Sequence, residues 1–193
     1  MNQVLKQALS QRPKSRIVDA GRVPSAVLIP IYRKQGEYYI LFTKRTNIVK
    51  DHKGQISFPG GAYENHDDTL FDTALRETTE EIGLPAEKVK LLGELDDFPT
   101  STSNYIISPF VGAIQWPYPL KIDPIEVDEI IEIPISALLD KDCVSLETEI
   151  IDGQEATAYF YNYQGNVVWG ATARILTQLL DIWAEATNNS RGE

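Results

Sequence analysis

Apolar positions along the chain follow two rhythms, short unbroken runs and helical repeats, and their alternation predicts a mixed fold. Val4, Leu5, Ala8 and Leu9 mark a short amphipathic helix near the start. Ala26–Tyr32 and Tyr38–Thr43 are apolar runs of strand length, and Lys34-Gln35-Gly36-Glu37 between them reads as a turn. Ile56–Pro59 is a short extended piece that leads into the Gly60-Gly61 pair. A polar loop then gives way to a helix over Thr69–Ile82. Thr69 with Asp72 forms its start signal, and Gly83 with Pro85 beyond it forms the stop. Further strands are predicted at Lys90–Leu95, Ile106–Ile114, Glu129–Ile133, Val144–Ile151, Ala156–Tyr163 and Val167–Trp169. A Ser/Thr/Pro-rich loop, Phe98–Asn104, separates the first two, a short helix lies near Ser136–Leu139, and Gln164-Gly165 sits at the tip of the last hairpin. The closing helix, Ala171–Ala186, repeats Ile175, Leu176, Leu179, Leu180, Ile182 and Trp183 at helical spacing, which predicts a core stripe, and Trp169 is expected in the core as well.

Composition narrows the setting. The 193 residues suit one domain, 1–193, with residues 1–25 as an N-terminal helical extension. With 28 acidic and 18 basic residues the formal net charge is −10, so nucleic acid is an unfavourable partner. No stretch reaches ~18 uninterrupted apolar residues, so no membrane-spanning helix is expected. The single cysteine, Cys143, cannot pair internally; it reads as a small apolar filler and fits a reducing compartment, so a cytoplasmic location is expected. Self-association into a homodimer is left open by the sequence.

The chemistry concentrates in Gly60–Leu84. On a helical wheel Phe71, Ala74, Leu75, Thr78 and Ile82 form the buried side, while Glu77, Glu80 and Glu81 converge on another strip flanked by Arg76. Glu77 and Glu81 are a like-charge pair one turn apart, near a helix C-terminus where negative charge opposes the macrodipole. A hard divalent cation would offset both penalties. Oxygen ligands without a nearby thiolate or imidazole select Mg²⁺ or Mn²⁺.

Arg76-Glu77-x-x-Glu80-Glu81-x-Gly83-Leu84 resembles the second half of the Nudix box, G-x5-E-x7-R-E-U-x-E-E-x-G-U, where U is aliphatic. Ala62 and Asp68 stand at the counted glycine and glutamate positions; Gly61 and Asp67 are each one residue early, as a one-residue loop insertion would leave them. Thr78 replaces the usual aliphatic residue. The resemblance implies an α/β (α+β) fold, an α/β/α sandwich around a mixed sheet. It implies Glu77 and Glu81 as principal metal ligands, Glu80 as a further ligand or water activator, Arg76 as their orienting partner, and a carbonyl of Gly60 or Gly61 near the metal.

Leu41-Phe42-Thr43-Lys44-Arg45-Thr46, then Lys50, then Gly54-Gln55-Ile56-Ser57-Phe58-Pro59-Gly60-Gly61, is similar to the signature of the coenzyme A pyrophosphatase branch, L-L-T-x-R-S-x3-R-x3-G-x3-F-P-G-G. Lys50 replaces an arginine and Thr46 a serine. Glu126–Ile135 resembles that branch's E-V-x-E-V-F-x-V-P-L, and Trp169-Gly170-Ala171-Thr172-Ala173 its W-G-x-T-A. The resemblance implies metal-dependent hydrolysis of coenzyme A or its derivatives to 3′,5′-ADP and 4′-phosphopantetheine. Arg45, Lys50, Gly54, Phe58, Gly60 and Gly61 would serve the substrate. Arg45, Lys50, His52 and Lys53 concentrate positive charge before the acidic helix, where phosphates would sit. His52 and His66 are weaker acid–base candidates than the carboxylates, and Glu126 or Glu129 joins Glu77 and Glu80 as a group able to accept a proton. Two rivals stand beside this reading: the same fold acting on ADP-ribose, NADH or a dinucleoside polyphosphate, and a non-catalytic nucleotide sensor, which would be expected to lack the helix carboxylates.

Overall fold

The computed structural model describes residues 1–47, 54–100, 103–151 and 154–189. Lys50, His52 and Lys53 lie outside the described residues. Helix α1 (Asn2–Gln11) precedes strands β1 (Val23–Lys34) and β2 (Glu37–Arg45), which Gln35 (φ 52°) and Gly36 (φ 91°) join in the left-handed conformation that a tight hairpin turn requires. Short strands β3 (Ile56–Ser57) and β4 (Gly60–Ala62) lead to helix α2 (Leu70–Ile82). Strands β5 (Val89–Glu94), β6 (Phe98–Pro99), β7 (Tyr105–Ile114) and β8 (Val127–Pro134) follow, then the one-turn helix α3 (Ile135–Leu138). A hairpin of β9 (Val144–Ile151) and β10 (Gln154–Tyr163), strand β11 (Asn166–Val168) and helix α4 (Gly170–Asn189) complete the order.

The main sheet runs β3-β2-β1-β7-β5, with β4 on β1, β6 on β7 and β8 on β2. It is mixed: β1 and β7 are parallel, from Val23 opposite Tyr105 to Ile31 opposite Ala113, and the other pairs are antiparallel. On one face, Ala26, Leu28 and Phe110 pack with Ala74 of α2, and Leu41 packs with Ile82 and Leu84. On the other face Ile29, Ile31, Ile40, Phe42 and Val111 meet the stripe of α4 and Leu5 and Leu9 of α1. The result is an α/β/α sandwich. The smaller sheet, β11-β10-β9, adds Tyr161 and Val168 to this second core, where Cys143 is also buried.

One expectation changes. Trp169 is 44% exposed, because it lies just before Gly170 (φ 63°) and outside the α4 repeat; Val168, one residue earlier, takes the buried position. Helix α1 packs on the core, with Leu5 fully buried and Leu9 so close to Gly93 that a Cβ there would lie 2.6 Å away. Leu5→Ala is therefore expected to cost about 2–5 kcal/mol, as core truncations do, read from the urea midpoint. Among the described residues no helix is long and apolar enough to cross a membrane.

Candidate active site

Between β2 and β1 the sheet is splayed, and residues 56–62 thread the gap. Ile56 and Ser57 pair with Lys44 and Thr43 of β2, whereas Gly60–Ala62 pair with Ser25–Val27 of β1. Phe58, 3% exposed, stacks on Phe42 with ring centroids 4.9 Å apart, and Leu28 donates its amide to the Pro59 carbonyl at 2.9 Å. Phe58 thus anchors the crossing in the core. Gly60 (φ 153°) has no room for a side chain, since a Cβ would lie 2.2 Å from the Ala26 carbonyl oxygen. Gly54 (φ 67°) donates its amide to the Arg45 carbonyl at 3.1 Å.

This crossing presses against α2. The helix starts at Thr69, whose hydroxyl accepts from the Asp72 amide at 3.2 Å, and stops at left-handed Gly83 (φ 67°). Its buried side is rotated from the simple wheel. Thr73, Ala74, Thr78, Glu81 and Ile82 are buried, while Phe71 and Leu75 are only half-buried. The rotation carries the acidic strip inward beneath β4.

The three glutamates therefore differ. Glu81 is 3% exposed; its backbone-amide partner is Gly60, Arg45 lies 3.6 Å away, and its buried Oε2 has no hydrogen-bond partner among the described residues. Burial pushes its carboxyl up to about 8, against the pull of Arg45, and the charges of Glu126 and Glu77 add to the rise. Glu77 lies under Gly61, where a Cβ would come within 2.4 Å of the carboxyl carbon, and burial raises its pKa despite Arg76. Glu80 stands apart: its side chain is 59% exposed and accepts from Arg76 Nη1 at 3.0 Å.

Arg76 is the hub. Its Nε and Nη2 donate to the two oxygens of Asp67 at 2.9 and 3.1 Å, Nη1 donates to Glu77 at 2.8 Å, and Nη2 also reaches the Ala62 carbonyl at 3.0 Å. Asp67 accepts further bonds from the Thr73 hydroxyl at 2.8 Å and the Glu64 amide at 3.0 Å. The Arg76 guanidinium holds the Asp67 carboxyl well below the usual carboxylate range. Asp67, one residue off the motif count, takes the clamping position, while Asp68 is exposed. The shifted spacing was the only sequence signal for this.

A second approach comes from the far side. Lys121 and Asp123 donate their amides to the Ile82 and Glu81 carbonyls at 3.0 and 2.9 Å, closing the end of α2. Thr46 donates its hydroxyl to the Ile125 carbonyl at 2.6 Å and its amide to the Glu126 carbonyl at 3.0 Å. These ties bring Glu126 close enough that its charge raises both Glu77 and Glu81. Glu129 instead faces Lys44 at 3.8 Å, and His66 is 65% exposed beside Glu64.

Oxygen donors, one of them buried and unpaired, fit a hard divalent cation. Among the described residues no three His, Cys, Asp or Glu side chains already form a cation cage. Mg²⁺ and Mn²⁺ are commonly held by one or two carboxylates plus phosphate oxygens and water, so the Glu77–Glu81 pair is the donor set they would use. Gly61→Ala is expected to displace Glu77 and lower kcat/KM by roughly 100-fold, the penalty of an ångström-scale misplacement. Steady-state kinetics beside an unchanged far-ultraviolet dichroism spectrum checks it.

A splayed mixed sheet with a carboxylate helix pressed against the strand crossing defines a Nudix-type fold. The NUDIX domain family model matches residues 22–144. A protein of Photorhabdus laumondii described as an uncharacterized Nudix hydrolase NudL is 37% identical over 86% of this chain and 88% of its own length. The chain belongs to the Nudix hydrolase family. Among solved structures, a MutT/nudix family protein from Enterococcus faecalis superposes with a TM-score of 0.57 at 14% identity over 91% of this chain and 66% of that one. The NUDIX domain of Shewanella oneidensis NrtR, solved with ADP ribose, gives 0.50 at 15% identity over 63% and 78% of the two chains. Nudix enzymes generally use divalent ions such as Mg²⁺ or Mn²⁺.

Proposed function

We propose that this protein is a metal-dependent pyrophosphohydrolase that cleaves the diphosphate of coenzyme A or its derivatives into 3′,5′-ADP and 4′-phosphopantetheine. The observation that carries the proposal is the Glu81 carboxylate, desolvated under Gly60 and left with one oxygen unpaired among the described residues. A buried carboxylate of this kind costs stability until a cation compensates it. When bound, Mg²⁺ or Mn²⁺ neutralises the diphosphate and lowers the pKa of the attacking water.

The protein's own groups do the rest. Arg76, fixed by Asp67, holds Glu77 in place, and Arg45 lies 3.6 Å from Glu81. Water attacks one phosphorus, and Glu126 takes its proton, because its charge acts on both site glutamates while Glu80 is bonded to Arg76. The bond to the bridging oxygen breaks, and that oxygen leaves with the second phosphoryl group.

The choice of coenzyme A rests on the resemblance across residues 41–61, whose residues also shape the site. Phe58, Gly60, Gly61, Arg45 and Thr46 each seat the crossing, a helix carboxylate or the Glu126 segment. ADP-ribose is the first competitor, being the ligand of the Shewanella domain. Relative kcat/KM on coenzyme A, ADP-ribose, NADH and diadenosine tetraphosphate, each with Mg²⁺ and Mn²⁺, tests the choice. The proposal expects coenzyme A to lead; a lead for another diphosphate would overturn the substrate and leave the carboxylate chemistry standing.

A further inference from the structure

Glu77 and Glu81 are carried by a helix, but Glu126 lies in a turn, one residue before β8. A carboxylate that must meet an attacking water within hydrogen-bond reach needs a backbone as firmly placed as a helix would give it. The means of placing it lies in Asp123-Pro124-Ile125-Glu126. Aspartate followed by proline starts turns, because proline presets the backbone of the second position and the aspartate side chain accepts from the amide two residues on. The chain forms that turn here. Asp123 Oδ1 accepts from the Ile125 amide at 2.9 Å, and the Asp123 carbonyl accepts from the Glu126 and Val127 amides at 3.2 and 2.9 Å.

Asp123 is tied to α2 at the same time. Its own amide donates to the Glu81 carbonyl at 2.9 Å, so two consecutive hydrogen bonds through Asp123 join the backbone of Glu81 to that of Glu126. Apolar contacts anchor the chain on either side: half-buried Ile122 packs against the cluster of Leu41, Ile82 and Leu84, and Val127 is 1% exposed. Between these anchors Pro124 and Ile125 are exposed, so packing leaves the shape of the turn to its hydrogen bonds. Thr46 holds the far end through the Ile125 and Glu126 carbonyls.

We propose that Asp123 is a positioning residue, whose side-chain oxygen shapes the turn that sets Glu126 against Glu81. The role rests on reading Glu126 as the proton acceptor, and it holds whichever diphosphate is cut. It asks of Asp123 an acceptor oxygen and no charge, which separates it from the role of a further cation ligand.

Steady-state kinetics on the diphosphate that leads the substrate panel tests this with Asp123→Ala, Asp123→Asn, Glu126→Gln and the double variant Asp123→Ala/Glu126→Gln, each with an unchanged far-ultraviolet dichroism spectrum. Asp123→Ala is expected to lower kcat roughly ten- to a hundredfold with KM unchanged, the scale of an ångström-level misplacement of a group that acts in the transition state. Asp123→Asn keeps an oxygen for the Ile125 amide and is expected to recover most of that loss. Beside Glu126→Gln, Asp123→Ala is expected to cost nothing further, because the group it positions is gone. Asparagine as damaging as alanine, or an alanine penalty undiminished beside Glu126→Gln, would overturn the inference while leaving Glu126 as the base. Glu126→Gln within tenfold of wild-type kcat would instead remove the reading of Glu126, and the role of Asp123 with it.

Discussion

Replacing Glu81 with glutamine is expected to lower kcat by roughly a thousandfold or more, the rate equivalent of losing several kcal/mol of transition-state charge stabilisation. The substitution keeps the shape of a side chain that is 3% exposed and removes only its charge. The same change should stabilise the metal-free protein at alkaline pH. Burial lifts the Glu81 carboxyl from 4.5 to about 8, so between those values the folded chain holds a proton that the unfolded chain has released. The stability contributed by that proton is fully present below the unfolded value and is lost as pH rises through about 8. Melting temperatures of the metal-free protein should therefore fall over this window, and Glu81→Gln should flatten the fall. Added Mn²⁺ should raise the melting temperature of wild type and not of the variant. A variant within tenfold of wild-type kcat would contradict the assigned role.

Asp67→Ala carries the second large expected effect, a loss of about 3 kcal/mol in folding stability, as when one partner of a buried ion pair is removed. Asp67 and Arg76 have side chains 3% and 16% exposed, and their two parallel bonds are the best shielded in the site. Arg76 keeps Glu77 and Glu80, which limits the penalty but frees Glu77 to move. Because the pKa of Asp67 is depressed, its contribution is present above the ordinary aspartate value and disappears as pH falls below it. Urea unfolding at neutral and acid pH should show a gap between wild type and variant that narrows on acidification. A loss below about 1 kcal/mol at neutral pH would place the pair among ordinary surface salt bridges.

The elements were legible in the sequence because their signals are local. Thr69 and Gly83 bracket α2, Gln35-Gly36 and Gln164-Gly165 occupy positive-φ turns, and the α4 stripe is buried throughout. What escaped depends on contacts distant along the chain. The wheel gave three equivalent glutamates, but the close approach of Gly61 to Glu77 selects one rotation of the helix and leaves Glu80 outside. Counting along the motif could not choose between Asp67 and Asp68; the bidentate bond to Arg76 does. Thr46 looked like a conservative exchange, whereas its hydroxyl ties the signature segment to residues 125–126 and so brings Glu126 to the site. Trp169 misled because the strand expected to run through it ends one residue earlier, at Val168, which takes the buried position.

The most direct test of the central claim is product analysis of coenzyme A incubated with Mg²⁺ or Mn²⁺ and either wild type or Glu81→Gln. Equal amounts of 3′,5′-ADP and 4′-phosphopantetheine from wild type alone are the predicted result. No cleavage by wild type, release of orthophosphate instead, or equal cleavage by both proteins would contradict it.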